Sequence, residues 1–204
     1  MPPKSRSRSR SPSKRTPAPD EKKLTELKED EPCGEIIVHG GNNISRDEAF
    51  SAARMESMAQ VTKVVFLLNI TTVGDRACMD ASILVVVDIP EGITSIGKSS
   101  FNCCSSLKEI KFPKSLRSIG GASFCDCSGL EEVNLLHTNV HKLGESAFYN
   151  CTSLREMKIP DSLQTFNDDY GGVFEDCSKL VPSNIYVNNP CDSEAVVAYL
   201  RSIQ

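Results

Sequence analysis

Between residues 85 and 180 the apolar and polar positions of the chain recur with a long period. Four segments repeat: VVVDIPEGITSIGKSSFNCCSSL (85–107), KEIKFPKSLRSIGGASFCDCSGL (108–130), EEVNLLHTNVHKLGESAFYNCTSL (131–154) and REMKIPDSLQTFNDDYGGVFEDCSKL (155–180), of 23, 23, 24 and 26 residues. Each ends in FxxCxxL, at Phe101/Cys104/Leu107, Phe124/Cys127/Leu130, Phe148/Cys151/Leu154 and Phe174/Cys177/Leu180. A period of about 20 to 29 residues marks a solenoid, whose single coils cannot bury their apolar faces alone. Within a unit, a run such as LKEIKFP (107–113) sends Leu107, Ile110 and Phe112 to one side and Glu109 and Lys111 to the other, the pattern of a half-buried strand. Pro90, Pro113 and Pro160 end that strand, because proline has no amide hydrogen for a ladder. A second apolar pair follows in each unit (Ile93/Ile96, Leu116/Ile119, Val140/Leu143, Leu163/Phe166). Next come Gly97, Gly120 and Gly144, where the pattern predicts a tight or left-handed backbone; Asn167 holds that place in the fourth unit and tolerates the same conformation. A short convex segment carrying the Phe and Cys closes the coil.

The flanks extend the array. Shifted by 23, residues 62–84 form a looser fifth coil, with Val73, Gly74 and Leu84 falling on Ile96, Gly97 and Leu107, and with Cys78 and Ala81 in place of the Phe and Cys. Upstream, Glu35 to Val38 predicts a short strand and Gly40 and Gly41 a turn. Ser45 with Glu48 makes a capping box for a helix over 46–59 that covers the first coil.

IPEGITSIGKSSFNCCSSL and FPKSLRSIGGASFCDCSGL resemble the BspA-type leucine-rich repeat, IPxxVxxIGxxAFxxCxxL. Leu136 stands where that family has proline, and Asn167, Asp168, Asp169 and Tyr170 depart from it in the last full coil. The resemblance implies a surface or interaction protein without enzymatic activity. It also implies that residues 184–200 (NIYVNNPCDSEAVVAYL) form a terminal cap, a last strand and then a helix begun by Asp192 or Ser193 in which Tyr199 packs. The fold expected is therefore α/β: a leucine-rich-repeat solenoid of about five coils, with parallel strands on one face and helical N- and C-terminal caps. The expected divisions are a tail at 1–33, an N-terminal cap at 34–61 and the solenoid with its C-terminal cap helix at 62–204.

Composition sets bounds on this picture. With 204 residues, 39% of them hydrophobic, and no tryptophan, the chain suits one modest domain plus a tail. The longest apolar runs, 64–68 and 83–87, fall far short of the roughly 20 residues that span a bilayer, so no membrane helix is predicted. The first 20 residues are charged and hold no apolar signal core, which predicts an intracellular protein, cytoplasmic or nuclear. Nine cysteines are an odd number, and four of them share one repeat position, so a buried column of small hydrophobes is expected rather than a disulfide framework.

Residues 1–16 hold six bases and no acid, and residues 17–32 hold six carboxylates against three lysines. Nine bases against six acids give the first 32 residues +3; the whole chain is -4, which leaves -7 for the remainder. The basic segment is expected to be disordered. SRSRSRSPSKR (5–15) resembles a short arginine-serine segment of nuclear RNA-processing proteins. That resemblance implies phosphorylation by SR-type or proline-directed kinases at Ser5, Ser7, Ser9, Ser11, Ser13 and Thr16, each phosphate adding about -1.5 to -2 charges.

Candidate chemistry is sparse. Cys125, Cys127, His137 and His141 form CxC followed by HxxxH, but the gaps are shorter than zinc fingers use, and Cys127 belongs to the buried column. Asp168, Asp169, Glu175 and Asp176 lack EF-hand spacing. No GxSxG, HExxH or P-loop sequence occurs, so no catalytic residue, metal or cofactor is expected. What remains is a surface. Repeat register stacks Val86, Glu109, Glu132 and Glu156 in one row and Asp88, Lys111, Asn134 and Lys158 in the next, a mixed-charge strip suited to a protein or peptide. The insertion holding Asp168, Asp169 and Tyr170 is a second candidate contact. These features predict a non-enzymatic protein-protein interaction module. The alternatives are a nuclear RNA-associated adaptor acting through the Arg/Ser tail, or a cell-surface adhesin or antigen bearing glycans at Asn43, Asn69 or Asn150.

Overall fold

The structure is a computed structural model that describes residues 34–38, 58–66, 70–166 and 172–187. Eleven strands are described: β1 (Gly34–Val38), β2 (Val61–Phe66), β3 (Thr72–Val73), β4 (Val86–Asp88), β5 (Ser95–Ile96), β6 (Ser118–Ile119), β7 (Glu132–Asn134), β8 (Lys142–Leu143), β9 (Glu156–Ile159), β10 (Thr165–Phe166) and β11 (Ile185–Val187). Every pairing between them is parallel and joins one coil to the next. One ribbon holds β1-β2-β4 and, after an interruption crossed only by the Glu109–Glu132 bridge, β7-β9-β11. A second ribbon runs β3-β5-β6-β8-β10. It is made by the second apolar pair of each unit, which the sequence pattern did not mark as a strand.

The turn segments carry a third ladder. Cys78, Phe101, Phe124 and Phe148 each donate their amide to a carbonyl one coil on, at 2.7–2.9 Å, and the residues two before and two after them do likewise in most coils. Each side of the coil thus satisfies its backbone through the neighbouring coil, as a buried main chain requires. This ladder needs left-handed residues, and nine non-glycine positions supply them: Arg76, Ser99, Ala122 and Ser146 in one row, Asp80, Cys103, Asp126, Asn150 and Asp176 in the other. Asp and Asn tolerate that conformation best after glycine, which suits the second row.

One expectation is corrected. Gly97, Gly120 and Gly144 are not left-handed; among the described glycines only Gly92 is, at φ 103°. A Cβ at those three positions would sit 2.7, 2.8 and 2.3 Å from backbone nitrogen or carbon of the preceding coil, so glycine is there to let the coils close. The expected leucine-rich-repeat solenoid with parallel strands is present. Among the described residues the architecture is a parallel β-solenoid whose helical turns are 3-10 segments at Met58–Gln60 and Pro182–Asn184. The convex segment closes in tight turns because its amides are committed to the neighbouring coil. The cap helices expected over 46–59 and after Asp192 lie outside the described residues, apart from Met58 and Ala59 in the first 3-10 turn. The strand expected at 35–38 is present as β1 and pairs with β2.

The core is built from columns. Phe101, Phe124, Phe148 and Phe174 stack with centroids 5.2, 5.3 and 5.7 Å apart and planes within 14° of parallel. Burying each ring contributes about 2 to 3 kcal/mol, with a further stacking increment of about 0.5 to 1.5 kcal/mol. Beside them run Leu107, Leu130 and Leu154 and the cysteines, all buried. The cysteines do more than fill space: Cys104, Cys127, Cys151 and Cys177 donate their thiols to the carbonyls of Cys78, Phe101, Phe124 and Phe148 at 3.0–3.3 Å. Ser100 and Ser123, also buried, each share one hydroxyl between glycine carbonyls of two coils at 2.6–2.8 Å.

Candidate interaction surface

Alternate residues of the first ribbon face outward in two rows. Lys63 pairs with Val86, Glu109 with Glu132 and Glu132 with Glu156; Val65 pairs with Asp88, Asn134 with Lys158 and Lys158 with Tyr186. The register anticipated for Glu109, Glu132, Glu156, Asn134 and Lys158 is the one observed. Glu109 and Lys111 are exposed, and Glu132, Asn134, Glu156 and Lys158 are half-buried.

Stacked glutamates repel at coil spacing, and the strip answers this locally. Lys158 Nζ lies 2.7 Å from Glu132 Oε1 and 2.7 Å from Glu156 Oε1. Hydrogen bonding to Glu132, and then to Glu156, holds the ammonium above the ordinary lysine range. A third pair, Arg155 with Glu131 at 3.4 Å, flanks it in solvent. Glu109 has no such lysine bridge among the hydrogen bonds of the strip, so the middle coil offers its acid and Lys111 outward.

The ribbon opens where Glu109 and Lys111 stand. Phe112 occupies the place of Ile89, Leu135 and Ile159, and its ring meets Phe124 edge-on at 5.8 Å and 86°. The larger side chain coincides with the interruption between β4 and β7. A hollow of about 370 Å³ opens there, lined by Glu109, Lys111, Phe112, Glu132, Asn134 and His137. Earlier in the chain Ile83, Val85 and Val86 are 43–50% exposed. A second hollow, about 280 Å³, lies along the other ribbon over Ser95, Gly97, Ser118, Gly120, Lys142 and Gly144.

Three contributors to the strip escaped the sequence reading: Lys63, Tyr186 and His137. Lys63 was legible as the residue 23 before Val86 and Tyr186 as the outward residue of IYV; His137 gains its place only from the turn after β7. Asp168, Asp169 and Tyr170 lie outside the described residues, as do Ser5, Ser7, Ser9, Ser11, Ser13 and Thr16. The CxC/HxxxH residues are dispersed: Cys127 is buried on the Phe101 carbonyl, Cys125 donates to Asp126 at 3.1 Å, His137 borders the hollow and His141 is exposed. Among the described residues no three His, Cys, Asp or Glu side chains are grouped to hold a metal ion, and no helix is long and apolar enough to cross a membrane. Asn150, one of the three candidate glycan acceptors, uses its amide to bond Asp126 Oδ1 at 2.7 Å.

Coils of 23 to 26 residues, a core of stacked columns and parallel ribbons define a leucine-rich-repeat solenoid. The BspA-type leucine-rich repeat region matches residues 47–181 in six copies, and the chain belongs to that family. Among solved structures it is similar to a leucine-rich repeat protein of T. pallidum, with 24% identity and a TM-score of 0.63 over 74% of this chain and 69% of that one. It is also similar to a leucine-rich repeat protein of Bacteroides ovatus, at 29% identity and a TM-score of 0.55 over 68% of this chain and 33% of that one. A leucine-rich cell surface protein of Faecalibacterium prausnitzii matches at 20% identity and a TM-score of 0.54, covering 76% of this chain and 50% of that one. The chain thus spans a third to a half of the latter two. No curated protein matches it.

Proposed function

We propose that the chain is a non-enzymatic interaction module that binds a protein or peptide through the strip formed by Glu109, Lys111, Glu132, Asn134, Glu156 and Lys158. The observation that carries this reading is the middle coil. Glu109 and Lys111 stand exposed at the mouth of a hollow that Phe112 and Ile110 also line. Apolar area supplies affinity, and the adjoining fixed charges set register and on-rate. Family membership supports a binding role of this kind. The ligand expected is an extended segment with an acid and a base spaced to meet Lys111 and Glu109.

The test is affinity capture from native cells with the full chain and with Glu109→Lys and Lys111→Glu, both at exposed positions. Loss of the same partners in both variants, restored in part by 
the double swap where the partner is reversed to match, supports the strip. Unchanged capture by both variants refutes it.

A second reading, a cell-surface protein, draws on the family. Asn150 is a poor glycan acceptor because its amide is engaged, so this reading would be carried by glycans at Asn43 or Asn69. The adaptor reading, with kinase or RNA partners and a nuclear location, rests on residues 1–16 alone.

A further inference from the structure

Two of the seven described cysteines stand apart from the core column. Cys78, Cys104, Cys127, Cys151 and Cys177 are buried, whereas Cys103 and Cys125 are half-buried on the turn ridge of successive coils. The amide of Cys103 donates to the carbonyl of Cys125 at 2.9 Å. With standard bond lengths this puts the two α-carbons within the roughly 4.4 to 6.8 Å that a disulfide spans. Their side chains meet on one amide group. The Cys103 thiol donates to Asn102 Oδ1 at 3.1 Å, the Asn102 side chain also bonds the Cys125 thiol, and the Cys125 thiol donates to Asp126 Oδ2 at 3.1 Å.

We propose that Cys103 and Cys125 form a reversible thiol-disulfide pair that cross-links two neighbouring coils, with a small-molecule disulfide as the oxidant. One thiolate attacks the oxidant RSSR, forming a mixed disulfide and releasing RS⁻. The second thiolate attacks the protein sulfur of that mixed disulfide and releases the other RS⁻. Two protein thiols are oxidised, one disulfide is reduced to two RSH, and the two protons pass to the leaving thiolates. The buried cysteines take no part, because their sulfurs are enclosed and the hydrogens of Cys104, Cys127, Cys151 and Cys177 are committed to carbonyls. Burial, followed by the charge of Asp126, raises the Cys103 thiol, and burial with the Asp126 hydrogen bond pushes Cys125 up to about 12. The reaction therefore accelerates as pH rises, by up to about tenfold per unit while the attacking thiol remains mostly protonated.

The full native chain is incubated with oxidised glutathione at pH 7 and pH 9, free thiols are blocked with N-ethylmaleimide, and the products are mapped by mass spectrometry. The expected product is a cross-linked peptide joining Cys103 to Cys125, formed faster at pH 9, reversed by dithiothreitol and absent from Cys125→Ser, in which Cys103 accumulates only as the glutathione adduct. Circular dichroism matching the wild type shows that this variant is folded; if it is not, Cys103→Ser serves in its place with Cys125 as the adduct site. Glutathione adducts without a cross-link in the wild type, or a cross-link that maps to any other cysteine pair, would overturn the proposal.

Discussion

Glycine does two different jobs here, and substitution separates them. At Gly144 a Cβ would lie 2.3 Å from the Gly121 nitrogen and 2.6 Å from the Gly120 carbonyl carbon, both backbone atoms that cannot move without parting the coils. At Gly92 the nearest atom is the Ile70 carbonyl oxygen at 3.9 Å, and only the positive φ resists a side chain. Gly144→Ala should therefore cost about 3 kcal/mol or more, and Gly92→Ala about 1 to 2 kcal/mol. Urea unfolding of the two variants checks the order; equal losses would mean that the coils do not close through the glycine row. The importance of these glycines was legible in the repeat, but its cause was not. A recurring glycine looks the same in sequence whether it serves φ or close approach, and the left-handed duty falls instead on Ser99, Asp126, Asn150 and their equivalents. The cysteine column was likewise legible as packing, while its bonds to carbonyls depend on a thiol direction that spacing does not encode. Burial raises Cys127, so its thiol keeps the donor proton throughout the physiological range.

At the scale of the coil, alternation identified the first ribbon because three or four residues of pattern surround each proline. The second ribbon is built of two-residue strands, too short to show a period of two, and emerges only from pairing between coils. The charge rows followed from register, since residues 23 or 24 apart must stack. What register could not tell is that Lys158 bridges two glutamates rather than one. The consequence is testable by pH and salt. The folded pKa of Lys158 lies above its unfolded value, so its stabilisation is complete below the unfolded pKa of about 10.4 and is lost as pH rises through the higher folded value. Lys158→Gln should lower the melting temperature at pH 7 in low salt, and the difference from wild type should narrow near 1 M salt and at strongly alkaline pH. A difference independent of both would assign the loss to packing of the lysine stem.

For the whole molecule, the stack leaves function to whichever side of the coil is not already committed. The turn ridge presents Asp80, Asp126 and Asp176, of which Asp126 is engaged with Asn150 and Cys125, and Asp176 with Tyr149. The strip presents Glu109 and Lys111 outward. The period of the repeat revealed the solenoid, its family and the place of the strip, yet the hollow at Phe112 arises from a local break in pairing that no repeat alignment displays. Carbodiimide labelling of carboxylates in the full chain, free and with its captured partner bound, tests the assignment of the binding face most directly. Protection of Glu109 and Glu156, with Asp80 and Asp126 labelled as in the free protein, is the predicted result. Protection of the turn-ridge aspartates with Glu109 still labelled would contradict it.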